Sequence, residues 1–176
     1  MHISRAKLLG TGTALAAIGS GLLGPFIAAA EAATEGDVKI LQFAALSERT
    51  AIKAYMDAAG TGLLSPAVLT VAKGFMADHM AHRDALEGAI KAAGVTPDTG
   101  VAAITYPPLH SQSDILAFAE TLERGAASAY LASIPNLQDR NLAKVAGSIL
   151  GVETTHVAIL AYTLTSSTES YKAFVA

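Results

Sequence analysis

The sequence predicts an all-α protein, an antiparallel four-helix bundle with one long crossover between its second and third helices. Three observations carry this. Composition is the first: 52% of the 176 residues are hydrophobic but only 6% aromatic, alanine is abundant and β-branched runs are few, a balance that favours helix over sheet. Second, four segments place apolar residues at helical spacing between Gly and Pro signals. Third, the links between them are unequal. Those between helices 1 and 2 and between helices 3 and 4 are short and imply two antiparallel hairpins. Residues 95–112 hold three prolines and no clear periodicity, enough chain to run along a bundle from one hairpin to the next.

Helix 1 is expected over about Asp37–Ala59, stopped by Gly60-Thr61-Gly62. Helix 2 opens with Ser65-Pro66, an N-cap followed by proline at the first helical position, and ends at Gly94. Helix 3 starts near Ser113-Asp114 and stops near Pro135; helix 4 runs over about Gln138–Leu164, with no sign of a fifth helix beyond it. Residues 1–33 read differently. Arg5 and Lys7 precede a Gly/Ala/Leu stretch from Leu8 to Ala30, and small residues close it at 28–33. That is the layout of a cleaved export signal. An uncleaved membrane anchor is the alternative, since the apolar stretch is long enough to span. The domain reading is therefore an export signal over 1–33 and a helical bundle over 34–176, in a periplasmic or otherwise extracytoplasmic protein. Ser4-Arg5-Ala6-Lys7-Leu8-Leu9 resembles a twin-arginine signal without its second Arg, so that route and the general secretory one both stay open.

Charge and cysteine usage exclude several classes. The formal net charge of −3 gives no basic face for nucleic acid or anionic lipid, so contact with a membrane is expected only through an uncleaved leader. The absence of Cys excludes disulfides, thiolate metal sites, iron–sulfur ligation and thiol catalysis. No Gly-containing stretch has phosphate-loop spacing.

Each helix can be laid on a seven-residue seam whose a and d positions face the core. Every seam is apolar except near its middle. The exceptions are Glu48 on helix 1, His79 and His82 on helix 2, Glu123 on helix 3, and Glu153 and His156 on helix 4. An unpaired buried carboxylate costs several kcal/mol even after relaxation, and three in one small core need cations or protons. Divalent metal satisfies both group types in their ordinary neutral-pH forms.

The spacings agree with one site. His79/His82 and Glu153/His156 are each i, i+3, on one helix face. The single Glu of each hairpin precedes its pair by 31 and 34 residues in the first and by 30 and 33 in the second. The surrounding text repeats too: Glu48–Tyr55 reads ERTAIKAY and Glu123–Tyr130 reads ERGAASAY. Half a site is written twice, and two hairpins about a pseudo-twofold axis would aim six side chains at one point.

At these residues the chain resembles the ferritin-like superfamily of carboxylate-bridged di-iron proteins, and within it the exported ferritin-like proteins of bacteria. The likeness covers about residues 37–164. Such proteins place a Glu on helices 1 and 3 and Glu-x-x-His on helices 2 and 4. Glu48, Glu123 and Glu153/His156 match residue by residue, and Phe75-Met76-Ala77-Asp78-His79-Met80-Ala81-His82-Arg83 has the family's texture, with His79 standing where the family has Glu. The resemblance implies two iron ions that react with O2 or peroxide, an oxidoreductase of ferroxidase or oxidase type. His79 keeps three outcomes open: a dinuclear site with Glu153 as sole bridge, a mononuclear site, or a site for zinc, manganese or copper. The rival class is a non-catalytic metal-binding or stress-related envelope protein, and a third reading is a metal-free bundle acting through partners. A homodimer is compatible with any of them.

The remaining polar residues receive plainer readings. Tyr55 and Tyr130 lie on the inner stripe two turns past Glu48 and Glu123, and core packing is preferred there over hydrogen bonding to the site. Arg49 and Arg124 are read as solvated, Glu87 and Glu120 as surface charge, and His110 as a loop residue. Asp78 is set about 100° from His79 on an ideal helix, away from the site.

Overall fold

The computed structural model describes residues 33–166. All but the last residue of the export signal expected over 1–33, and the tail after Ser166, lie outside them. Among the described residues there are four long helices and no strand: α1 (Glu35–Gly60), α2 (Pro66–Ala92), α3 (Gln112–Ser133) and α4 (Arg140–Thr165). A one-turn 3-10 helix, Ile134–Asn136, carries Pro135 between α3 and α4.

Helix ends follow local chemistry. Thr34 and Asp37 form a reciprocal capping box at the start of α1. Asp37 Oδ1 also accepts from the backbone N–H of Gln138 at 2.7 Å, tying the start of α1 to the entry of α4. Ser65 precedes Pro66 as expected, but its side chain makes no capping bond; its backbone N–H donates instead to Gln112 Oε1 at 2.8 Å. Ser111 caps α3 by accepting from the N–H of Asp114, so this helix starts a residue earlier than expected. Asp139 caps α4. Gly94 ends α2 with φ of 77°, where a side chain would strain the backbone, and the Val95 N–H closes back on the Ile90 carbonyl.

The two hairpins are α1–α2 and α3–α4, and they meet through α1 against α3 and α2 against α4. The start of α2 lies beside the start of α3, as the Ser65–Gln112 bond requires, so α1 and α3 are antiparallel neighbours. The crossover is laid lengthwise along α1. Gln42 bonds the backbone of Thr96 and Asp98, Arg49 donates to the Gly100 carbonyl, Thr50 accepts from Ala102, and Asp57 accepts from the Tyr106 hydroxyl. Arg49 is thereby corrected from a solvated residue to a buried one: its Nε meets the Gly100 carbonyl at 2.7 Å and its Nη1 meets Glu87 Oε1 at 2.8 Å. The physical reason is the crossover itself, which covers the flank of α1 that a bare bundle would leave in water. Glu87, expected as surface charge, is the partner that neutralises it.

Two apolar clusters occupy the two ends of the bundle. One gathers Leu41, Ala45, Leu86, Ile90, Leu142 and Ile149; the other gathers Tyr55, Ala72, Phe75, Leu116, Ala119 and Leu160. The six polar seam residues lie between them. Helix α4 is long and apolar enough to cross a membrane by composition, yet it turns Glu153 and His156 into the bundle and serves as a core helix.

Truncating Arg49 would strand Glu87 and release the crossover. Arg49→Ala is expected to cost about 2–3 kcal/mol and to speed amide exchange around Gly100–Ala102 while the four helices stay protected. Hydrogen-exchange mass spectrometry with a thermal melt reads both. Unchanged exchange in the crossover would show that this bond does not hold it.

Candidate metal centre

All six polar seam residues converge in one buried layer, each no more than 4% exposed. They fall into two overlapping groups whose donor atoms lie within 4.8 Å of one another: Glu48, His79, His82 and Glu153, and His79, Glu123, Glu153 and His156. Either group could hold a cation, and His79 and Glu153 belong to both.

His79 is central. Its Nδ1 faces Glu48 Oε2 at 2.8 Å and its Nε2 faces Glu123 Oε1 at 3.2 Å, so one imidazole spans the two repeat glutamates. His82 Nδ1 lies 3.5 Å from Glu48 Oε2 and 3.0 Å from Glu153 Oε1. His156 Nδ1 lies 3.4 Å from Glu123 Oε2 and 3.9 Å from Glu153 Oε2. The His82–Glu153 approach is short but poorly aligned. His82 Nδ1 and both Glu153 oxygens have no hydrogen-bond partner although all three are buried. A fully buried carboxylate with neither oxygen satisfied is costly, and a cation between the groups is what would satisfy it.

The tyrosines correct the sequence reading. Tyr130 donates to Glu48 Oε1 at 2.5 Å and Tyr55 donates to Glu123 Oε1. Each belongs to one copy of the repeat and serves the glutamate of the other. Two helical turns, about 10 Å, separate each Tyr from its own Glu, which made core packing the simpler expectation. Because α1 and α3 run antiparallel side by side, each ring reaches across instead. The signal that could have found them was the duplicated Glu–Tyr spacing combined with that topology.

Asp78 is the second correction. It does point away from the centre of the layer, but α2 packs on α4, and its carboxylate accepts from His156 Nε2 at 3.1 Å. A carboxylate on the outer nitrogen fixes the tautomer and presents Nδ1 inward, the arrangement used for ligating histidines. Phe75 stacks on the same ring, with centroids 3.9 Å apart. Arg124 pairs with Glu120 at 2.7 Å, and His110 is exposed in the crossover.

Electrostatics follow from burial opposed by pairing. Burial pushes the Glu48 carboxyl up, but the bond from His79 and the His82 imidazole 3.5 Å away outweigh it and hold the group down at about 2. Glu123 is held low in the same way, by His156 and His79 against burial. Burial dominates at Glu153, pushing it up to about 7. Burial lowers the imidazoles, yet the bonds to Glu123 and Glu48 hold His79 well above its usual range, and Glu153 and Glu48 hold His82 at about 9. Asp78, then Glu123, raise His156 against the same burial. With no cation bound, imidazolium protons supply the positive charge in this layer.

These geometries can be set beside known proteins. A model of the ferritin-like domain family matches residues 36–166. The chain belongs to that family. Among solved structures it is similar to a conserved hypothetical protein from Mycobacterium tuberculosis, with 21% identity and a TM-score of 0.68 over 76% of this chain and 95% of the other. It is also similar to a ferritin-like, diiron-carboxylate protein from Bacillus anthracis, with 19% identity and a TM-score of 0.62 over 73% of this chain and 94% of the other. No curated protein matches the chain. At these identities the two structures speak for the ferritin-like fold, in agreement with the four-helix bundle expected from sequence.

The shifts set the pH dependence of the chelated protein. His82 contributes stability that is complete below its ordinary value of 6.5 and is lost as pH rises through about 9. Glu153 adds a loss between its ordinary 4.5 and about 7, while the contribution of Glu48 fades only as pH falls from 4.5 toward 2. In excess chelator the melting temperature should therefore peak near about pH 5 and fall by at least about 5 °C toward pH 9. A flat or rising profile over that interval would contradict the charge assignment.

Proposed function

We propose that this ferritin-like protein is an extracytoplasmic metalloprotein whose two overlapping groups hold a pair of metal ions, iron by its likeness to a diiron-carboxylate protein, and that it acts as an oxidoreductase on O2 or peroxide. The observation that carries the reading is Glu153: fully buried, unsatisfied at both oxygens and shared by both groups. No aligned hydrogen bond from a neighbouring imidazole reaches either of its oxygens, and a cation held between the two groups would satisfy both. Glu48 and His82 would complete one ion's donors and Glu123 and His156 the other's. Glu153 would be the sole carboxylate shared, because His79 stands opposite it. The location outside the cytoplasm rests on residues 1–33 alone.

Bound iron would supply one-electron redox chemistry, with carboxylate donors favouring the higher oxidation state. The chain's own residues do the rest. The Tyr55 and Tyr130 hydroxyls keep their protons, since burial and the adjacent carboxylates push both phenols far above their ordinary range. Each therefore remains a donor: Tyr130 fixes Glu48 Oε1 and leaves Oε2 to His79, while Tyr55 fixes Glu123 Oε1, the oxygen that His79 also faces, and leaves Oε2 toward His156. Asp78 holds the proton on the outer nitrogen of His156. The apolar clusters at both ends keep bulk water from the layer. Metal binding must displace the imidazole protons, so affinity rises with pH until His82 has lost its proton near 9.

Anaerobic Fe(II) loading of the purified protein is expected to give about two equivalents per chain, then a visible charge-transfer band and O2 uptake on exposure to air. Glu153→Ala should lose at least one equivalent. Tight zinc without O2 uptake would favour the non-catalytic metal-binding reading, and failure of any divalent ion to bind would end both.

A further inference from the structure

The polar layer is closed unequally at its two ends. On one side Leu86, Ile90, Leu142 and Ile149 fill the centre of the bundle, each at most 2% exposed. On the other side many of the positions facing the axis are alanines, among them Ala54, Ala58, Ala72 and Ala119, and a cavity of about 170 Å3 remains, lined by all four helices and by the end of the crossover.

No charged residue lines this cavity, and its few hydroxyls are turned away. Tyr55 donates to Glu123, Tyr106 donates to Asp57, and Thr163 donates to the Ile159 carbonyl at 2.7 Å. A water molecule needs two or more polar partners to be held, and an enclosed apolar cavity of about 150 Å3 stays dry and takes a benzene-sized guest; this one is similarly apolar but opens to solvent where Val71 and Ile159 are partly exposed. The floor is formed by two rings already tied to the polar layer: Tyr55 through Glu123, and Phe75, which stacks on His156. The lip is Tyr106, anchored to Asp57 and packed on Phe118.

We infer that this cavity is a binding site for a small uncharged hydrocarbon-like molecule, an aromatic ring or alkyl chain of about six or seven carbons by comparison with the benzene case. The guest lies against the Tyr55 and Phe75 rings, one ring's thickness from the Glu/His layer, and belongs to the substrate class on which a metal centre there would act. That last clause rests on the metal-centre reading; the binding itself does not. The cavity is too small for a helix or a docked domain, which separates a small guest from a protein partner.

The test uses toluene as probe on the full chain, once in chelator and once loaded with Co(II). In chelator, toluene should raise the melting temperature saturably and shift the methyl resonances of Leu116 and Leu160, which line the cavity, but not those of Leu86 and Leu142 at the packed end. Ala119→Leu should weaken binding at least tenfold. Ala58→Leu, nearer the lip, serves as a second filler should the first fold poorly. Absence of saturable binding, or binding undiminished in both fillers, overturns the site. In the Co(II) protein, toluene should perturb the visible cobalt bands, and unchanged bands overturn its placement beside the centre. If Co(II) does not bind at all, the metal-centre reading fails, while the titration in chelator still decides the cavity.

Discussion

Three carboxylates and three imidazoles enclosed between two apolar plugs set the terms for the rest of this molecule. Removing six such groups from water is unfavourable by several kcal/mol for each that ends uncompensated, so the fold must bring them close enough to compensate one another. Both hairpins therefore have to be in register, because a slip of one turn, about 5.4 Å, would set a glutamate against leucine. The apolar clusters above and below enforce that register from both sides. In return the polar layer divides the core, so each cluster packs around its own set of side chains rather than sliding along a continuous apolar seam.

The hydrogen bonds around the layer add a second restraint that runs between the repeats rather than within them. Tyr55 to Glu123 and Tyr130 to Glu48 cross from α1 to α3 and back. Breaking the α1–α3 contact would free two buried carboxylates and two buried phenols at once. That makes the relative placement of the hairpins part of the site rather than a background to it. Each glutamate also arrives at the centre already oriented, with one oxygen held by a phenol from the other repeat.

The sequence made the register legible because a polar residue on an apolar seam is conspicuous, and six at matched heights are hard to place otherwise. Helix ends were legible for a similar reason: Pro66, Gly94 and Pro135 act locally. Contacts that depend on how helices pack sideways were not. ERTAIKAY and ERGAASAY are nearly one motif, yet Arg49 is buried against Gly100 and Glu87 while the Arg124 side chain is 40% exposed beside Glu120. The difference is topological. The crossover lies along α1, and it is the segment that buries Arg49, whereas the described partner of Arg124 is Glu120 on its own helix. Asp78 was misjudged for the same reason. On a single helix it faces away from the site, and only the packing of α2 on α4 gives it His156.

The repeat has diverged unevenly, and the pattern of divergence bears on chemistry. The α1 and α3 copies keep Glu, Arg and Tyr in step. The α2 and α4 copies keep His82 and His156 in step but differ around them: His79 stands opposite Glu153, Phe75 opposite Ile149, and Asp78 opposite Val152. These changes fall together. Replacing one central carboxylate by imidazole leaves Glu153 alone at the centre with both oxygens unsatisfied. Asp78 gives His156 a carboxylate on its outer nitrogen, whereas the matching sequence position on α4 is the aliphatic Val152. Phe75 rather than Ile149 lays an aromatic face on His156, and the cavity opens on that side. The outer donors thus remain duplicated while the inner ones and the two approaches do not. A symmetric bundle would treat its two ends alike; this one has a sealed end and an end where small side chains leave room next to the half of the site that Asp78 and Phe75 hold in place.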